Sequence, residues 1–202
     1  MRTARTTIGI DEVGRGSLAG PVTVAALALT RRHRFKNLRD SKKLSPQKRV
    51  NWYRSIKGKE GIYYSLASVT PKIIDRINIR EATNLAASRA LRKLISRNPH
   101  LENQPLTVSL DGGLFLRDGW FGEKIRARTI IKGDEKINTI KLASIVAKVS
   151  RDRYMRQLHR FYPQYSLKEN KGYGTKKHFA AILRYGHAKI HRLTFIRKIT
   201  KV

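Results

Sequence analysis

The chain has 202 residues, 44 Lys and Arg against 14 Asp and Glu, a formal net charge of +30, and no cysteine. Its length and 40% apolar content suffice for one large domain with a real core. The lack of thiols excludes disulfides and cysteine-based zinc centres and favours an intracellular protein, while the excess positive charge points to a polyanion, nucleic acid first of all.

Residues 6–10 predict a first strand that ends on the adjacent acids Asp11 and Glu12. Gly14, Arg15 and Gly16 follow, a basic loop whose glycines let main-chain amides approach a ligand closely. The apolar stretch 18–29 is too short to span a membrane, and Gly20-Pro21 interrupts it, so it does not read as a signal peptide. Residues 22–29 predict a second strand, joined to the first by a hairpin-like link. Residues 31–59 hold twelve Lys and Arg and one acid, Asp40, and read mostly as a solvated basic face. Within them, residues 40–46 form a loop, with Pro46 opening a helix at its first turn.

Residues 62–69 predict a third strand, and Thr70-Pro71 starts a short helix. Residues 81–97 form an amphipathic helix at a period near 3.6, ended by Pro99. A fourth strand, 106–110, runs into Asp111-Gly112-Gly113, and a fifth, 125–131, into Lys132-Gly133-Asp134. Residues 139–160 predict a long helix, apolar nearly all round in its first half and therefore buried there. The spacing of Lys148 and Asp152 permits a local ion pair, and Arg151 reads as structural beside them. Residues 171–202 carry nine Lys and Arg and no acid, with one helix over 176–185 stopped by Gly186. His178 and His191 have no evident metal partner and read as structural or phosphate-facing; on its own, Tyr173 reads as an ordinary core or surface tyrosine.

Three predicted strands thus end in a carboxylate, at Asp11, Asp111 and Asp134, and in a mixed sheet such ends can converge. Successive strand residues face opposite sides, so Asp11 and Glu12 share a site only if the chain turns at Glu12, which Gly14 and Gly16 permit. Carboxylate oxygens without a His-Glu-x-x-His pattern suit Mg²⁺ or Mn²⁺. The same residues also fit a solvated acid pair on a basic binding protein.

Several ordered motifs resemble ribonuclease HII. They are residues 9–16, residues 40–45, the run from Ala143 to Asp152, Lys171-Gly172-Tyr173-Gly174-Thr175 with His178, and His191-Arg192-Leu193-Thr194-Phe195. Ser17 stands where the family usually has proline, and Leu142 where it usually has alanine. The resemblance implies an α/β, ribonuclease H-like mixed five-stranded sheet with flanking helices. The catalytic domain would cover 1–160, with a basic helical region, 161–202, packed on it. It implies an endonuclease that cuts the RNA strand of RNA–DNA hybrids and cuts 5′ of single ribonucleotides in duplex DNA.

The family's metal-binding and catalytic acids fall on Asp11, Glu12, Asp111 and Asp134, which would hold two Mg²⁺ or Mn²⁺ ions. Substrate contacts fall on Gly14, Arg15, Gly16, Lys42, Lys43 and Tyr173. A cytoplasmic monomer acting on nucleic acid, away from membranes, is expected. The alternatives are a basic structural RNA-binding protein and another two-metal nuclease on the same fold.

Overall fold

The structure, a computed structural model, describes residues 6–117 and 124–200. Five strands, β1 (Thr6–Val13), β2 (Val22–Leu29), β3 (Ile62–Val69), β4 (Leu106–Asp111) and β5 (Ile125–Ile130), form one sheet in the order β3-β2-β1-β4-β5. The β3-β2-β1 half is antiparallel and β1-β4-β5 is parallel, so the sheet is mixed as expected. The strand β2, Val-Thr-Val-Ala-Ala-Leu-Ala-Leu, is apolar on both faces because both are covered.

Among the described residues the α-helices, interleaved with the strands, are α1 (Pro46–Ile56), α2 (Pro71–Ser96), α3 (Gly133–Lys136), α4 (Asn138–Phe161), α5 (Leu167–Asn170), α6 (Lys176–Tyr185) and α7 (Leu193–Thr200). One core lies between the sheet and α2, where Ile8, Ile10, Val22, Val24 and Val108 meet Ala82, Ala86, Ala90 and Leu91. On the other face Val13, Ala25 and Leu27 meet Ile56 of α1 and Leu142, Ala143 and Val146 of α4. The buried first half of α4 is therefore found, and Leu142 fills this second core. The predicted short helix after Thr70 and the amphipathic helix after it run together as α2, broken at Asn78, whose φ is 64°. Its side-chain oxygen accepts from Glu81 N–H at 3.0 Å and starts the helix afresh.

Three details depart from expectation. The strand β1 does not end at Ile10 or turn at Glu12; it stays paired with β2 through Val13. Asp134 sits on the single turn α3 rather than on a strand end. The connection from β1 to β2 is no tight hairpin: residues 14–21 leave the sheet and bond to the C-terminal part, with Leu18 N–H donating to Gly172 O at 2.8 Å and Gly20 N–H to Ile190 O at 2.8 Å. Leu18 and Ala19 share a third core with Met155, Tyr165, Ile182 and Ile196. Among the described residues no helix is long and apolar enough to cross a membrane.

Candidate active site

Pairing between β1 and β4 stops at Ile10 and Leu110, which opens a gap in the sheet where β1 continues alone beside β2. The next residue of each strand is an acid, Asp11 or Asp111. Asp11 falls on the α4 face of β1 and Glu12 on the α2 face, yet both border one cleft of about 210 Å³ with Asp111 and Asp134. The gap, rather than a turn at Glu12, lets both sides of β1 serve it. Close packing sets the α4 side: a Cβ on Gly9 would collide with the main chain of Thr139 and Ile140. On α3, Gly133 N–H donates to Asp111 Oδ1 at 2.8 Å and Asp134 N–H to the same oxygen at 3.3 Å, tying two of the acids together.

Cations oppose the acids. Lys42 Nζ lies 2.8 Å from Asp134 Oδ2, and Arg15 Nη1 lies 3.7 Å from Glu12 Oε1. Lys148 Nζ donates to the hydroxyls of Ser41 and Ser144. This replaces the expected Lys148–Asp152 pair, because α4 buries Lys148 against the loop that precedes α1. Burial holds Asp11 well above the ordinary carboxylate range, and the neighbouring Glu12 charge adds to it. Glu12 is also raised, by burial first, against the pull of Arg15. The bond to Asp134 raises Lys42, whereas burial lowers Lys148.

This donor set fits a hard divalent cation. Glu12 Oε2 is buried with no hydrogen-bond partner, and the Glu12 and Asp111 charges both push Asp11 up, as Asp111 does Glu12. Among the described residues no three acids or histidines stand close enough together to hold a metal ion on their own, so water and substrate phosphate would have to supply the remaining ligands. Such openness suits Mg²⁺, which keeps waters and takes one or two carboxylates together with substrate phosphate.

Two buried arginines hold the loop over this cleft. Arg151 donates to the carbonyls of Pro21 (2.9 Å), Lys171 (2.8 Å) and Ala19 (3.1 Å) and to Ser17 Oγ (2.9 Å). Ser17 thus supplies an acceptor where the family's usual proline has none. Arg192 donates to the carbonyls of Gly14 (2.7 Å), Arg15 (2.8 Å) and Gly20 (3.1 Å from Nε). Burial, reinforced by Arg151, brings the Arg192 guanidinium down to about 9, still charged at neutral pH. Gly14, at φ 85°, has Arg151 stacked where a side chain would stand; Gly16 is exposed and has nothing within 4 Å of its Cβ position.

Tyr173 closes the cleft, 40% exposed, with the Arg151 guanidinium 5.6 Å from its ring. Its carbonyl bonds His178 Nδ1 at 3.0 Å, and His178 Nε2 meets His191 Nε2 at 3.2 Å. The histidines are thus structural, packed beside Tyr165.

The cleft brings together Asp11, Glu12, Gly14, Arg15, Gly16, Lys42, Asp111, Asp134 and Tyr173. Lys43 is not among them; it lines a neighbouring cavity. Sequence reasoning assigned no place in the site to Lys148, Ser41 or Ser144, and read Arg151 as part of a local ion pair. The signal available was a serine and a lysine one turn apart on a buried helix face; Arg151, between Ser150 and Asp152, carried none.

A family model described as ribonuclease HII matches residues 8–198. A ribonuclease HII from Caldicellulosiruptor bescii is 44% identical over 191 residues, covering 95% of this chain and 86% of the relative. One from Borrelia duttonii is 44% identical over 191 residues, covering 93% and 97%. The crystal structure of ribonuclease H2 from Pyrococcus horikoshii is similar at a TM-score of 0.69 and 25% identity over 97% of both chains. A Bst-RNase HIII crystallised with Mn²⁺ shares the fold, at a TM-score of 0.77 and 22% identity over 98% of this chain and 68% of that one. Motifs, sheet order and whole-length similarity agree, and the chain belongs to the ribonuclease HII family.

Proposed function

We propose that this ribonuclease hydrolyses the RNA strand of RNA–DNA hybrids and cuts on the 5′ side of single ribonucleotides embedded in duplex DNA. The products carry 3′-hydroxyl and 5′-phosphate ends, and the role is ribonucleotide removal during DNA replication and repair. The observation that carries the reading is the convergence of Asp11, Glu12, Asp111 and Asp134 in one cleft under the Gly14-Arg15-Gly16 loop.

Asp11, Glu12, Asp111 and Asp134 would hold two Mg²⁺ or Mn²⁺ ions. Bound there, such ions supply Lewis acidity that activates water and stabilises the leaving oxygen. The Bst-RNase HIII complex with Mn²⁺ supports this choice of metal. Everything else falls to the chain itself. The ammonium of Lys42, two-thirds exposed, can leave Asp134 for an incoming phosphate. Arg15, half-buried beside Glu12, offers a second phosphate contact.

Discrimination of RNA from DNA requires a contact to the 2′-hydroxyl. The open face of Gly16 admits a sugar to the main chain of residues 14–16, whose carbonyls the arginines hold in place. Tyr173, with one face on Arg151, presents its ring to the neighbouring sugar. Asp11→Asn tests the assignment: hybrid cleavage should vanish while hybrid affinity in EDTA stays within about threefold. Residual cleavage at the wild-type rate would remove Asp11 from the chemistry.

A further inference from the structure

A second concavity exceeds the acid-lined cleft in volume. A cavity of about 750 Å³ lies between the loop that follows β2 and helix α1. Phe35 and Trp52 form its apolar wall, meeting edge to face with centroids 6.3 Å apart. Arg34, Arg39, Lys48 and Lys59 stand around it, all exposed, and among the described residues no acid lines it. The nearest acids in the chain are engaged elsewhere: Asp40 is buried and accepts from Lys42 N–H at 2.9 Å, and Glu60 pairs with Arg31 at 2.8 Å. Both rings are half-buried and seated on the core beneath, with His33 stacked on Phe35 at 5.8 Å, and clustering cations round a concavity without counter-charge costs self-repulsion. Cations beside partly exposed aromatic rings are what single-stranded nucleic acid engages, phosphate on the one and an unstacked base on the other.

The cavity also adjoins the cleft. Lys42 borders the acids and Lys43, its neighbour on the turn Ser41–Lys43, borders the cavity. A strand leaving the cleft past Lys42 has Lys43, and beyond it the cavity, beside it on the same turn.

We propose that this cavity is a second nucleic-acid site, which takes a nucleotide from a single-stranded tail flanking the hybrid, its base against Trp52 and Phe35 and its phosphates among Arg39, Lys48 and Lys59. This rests on the reading of the cleft as a hybrid-binding site. A fully paired duplex hides its base faces, so the aromatic wall selects a tail over a blunt end.

The test compares blunt hybrids with hybrids carrying a single-stranded DNA tail, binding being read by anisotropy in EDTA and cleavage separately with Mg²⁺. The wild type should bind the tailed hybrid at least about fivefold more tightly. Arg39→Ala/Lys48→Ala/Lys59→Ala should lose that gain and bind and cleave the blunt hybrid as before. Its salt slope for the tail should be shallower by about 0.7 for each phosphate the protein no longer neutralises. The chain has two tryptophans, so a Trp120→Phe variant reports on Trp52 alone, and the tail should quench its fluorescence. Equal tail gains in wild type and triple variant would overturn the proposal, as would an equal loss on blunt and tailed hybrids, which marks a general basic face. Quenching by free AMP as strong as by the tail would overturn the tail as occupant. Failure of the hybrid-cleavage reading is separately visible, as a wild type that binds both hybrids and cuts neither.

Discussion

Arg192 Nη2 donates to the Gly14 carbonyl at 2.7 Å, a bond that joins residues 178 apart in sequence. The residue just before α7 thereby fixes the loop at the end of β1, and the C-terminal part becomes a structural member of the cleft. Arg192→Ala strips the buried Gly20 carbonyl of both its Arg192 bonds, leaves the Gly14 carbonyl only the 3.3 Å bond from Ser17 N–H, and frees the part-buried Arg15 carbonyl. At about 1–3 kcal/mol for each unsatisfied group, a loss of about 3 kcal/mol or more is expected in chemical denaturation. Arg192→Lys should recover little of it, because an ammonium lacks the planar fork that reaches all three oxygens. Full recovery with lysine would show that charge alone is needed.

Gly16 makes the opposite prediction. Nothing in the protein occupies its Cβ position, so Gly16→Val should leave stability within about 0.5 kcal/mol of wild type. It should nevertheless lower cleavage at least about tenfold if, as proposed, the vacant face admits the substrate. A matched loss of stability and activity would instead give this glycine a folding role.

The pair His178 and His191 yields a pH dependence. Burial lowers His191 from 6.5 to about 4, and His178 moves in the same direction. The folded state therefore binds these protons less readily than the unfolded chain. Their contribution is complete above pH 6.5 and is lost as the pH falls towards 4, with His191 alone worth roughly 3 kcal/mol. Because His178 bonds the carbonyl of Tyr173, the same fall should disturb the cleft. Thermal melts from about pH 7.5 to about 4 should show this decline, and His191→Phe should flatten it; an unchanged decline in the variant would place its origin elsewhere.

Asp11 has the reverse sign. Its carboxyl is raised by burial and by Glu12, so ionisation at neutral pH costs the metal-free fold stability. Asp11→Asn should raise the melting temperature in EDTA by a few degrees, on the order of 1 kcal/mol. Mn²⁺ should raise that of the wild type but scarcely that of the variant. Equal metal-induced shifts would mean that the cation binds away from Asp11.

Four of the strands were legible as largely apolar runs bounded by turn residues, and β5, Ile-Arg-Ala-Arg-Thr-Ile, by its β-branched residues and the turn Lys132-Gly133 after it. The acids were legible because carboxylates are scarce in so basic a chain and three of them follow apolar runs. How Asp11 and Glu12 share one cleft was not: it depends on where β4 stops beside β1, a pairing between segments about 100 residues apart. Arg151 and Arg192 were equally opaque, since an arginine ordinarily signals a wet surface and, Ser17 Oγ apart, their acceptors are carbonyls, which carry no side-chain signature. Lys148 looked like half of a local pair because helical spacing is visible in sequence, while the Ser41 hydroxyl that meets it is 107 positions away.

The most direct measurement is cleavage of a DNA duplex containing one ribonucleotide, beside an all-DNA duplex, in Mg²⁺, Mn²⁺ or EDTA, with the product ends mapped. A cut 5′ of the ribonucleotide that needs metal, leaves a 3′-hydroxyl and is absent from all-DNA is the expected result. Tight binding of both duplexes with no cut, or cleavage indifferent to the 2′-hydroxyl, would contradict the assignment of Asp11, Glu12, Asp111 and Asp134 under the loop at Gly16.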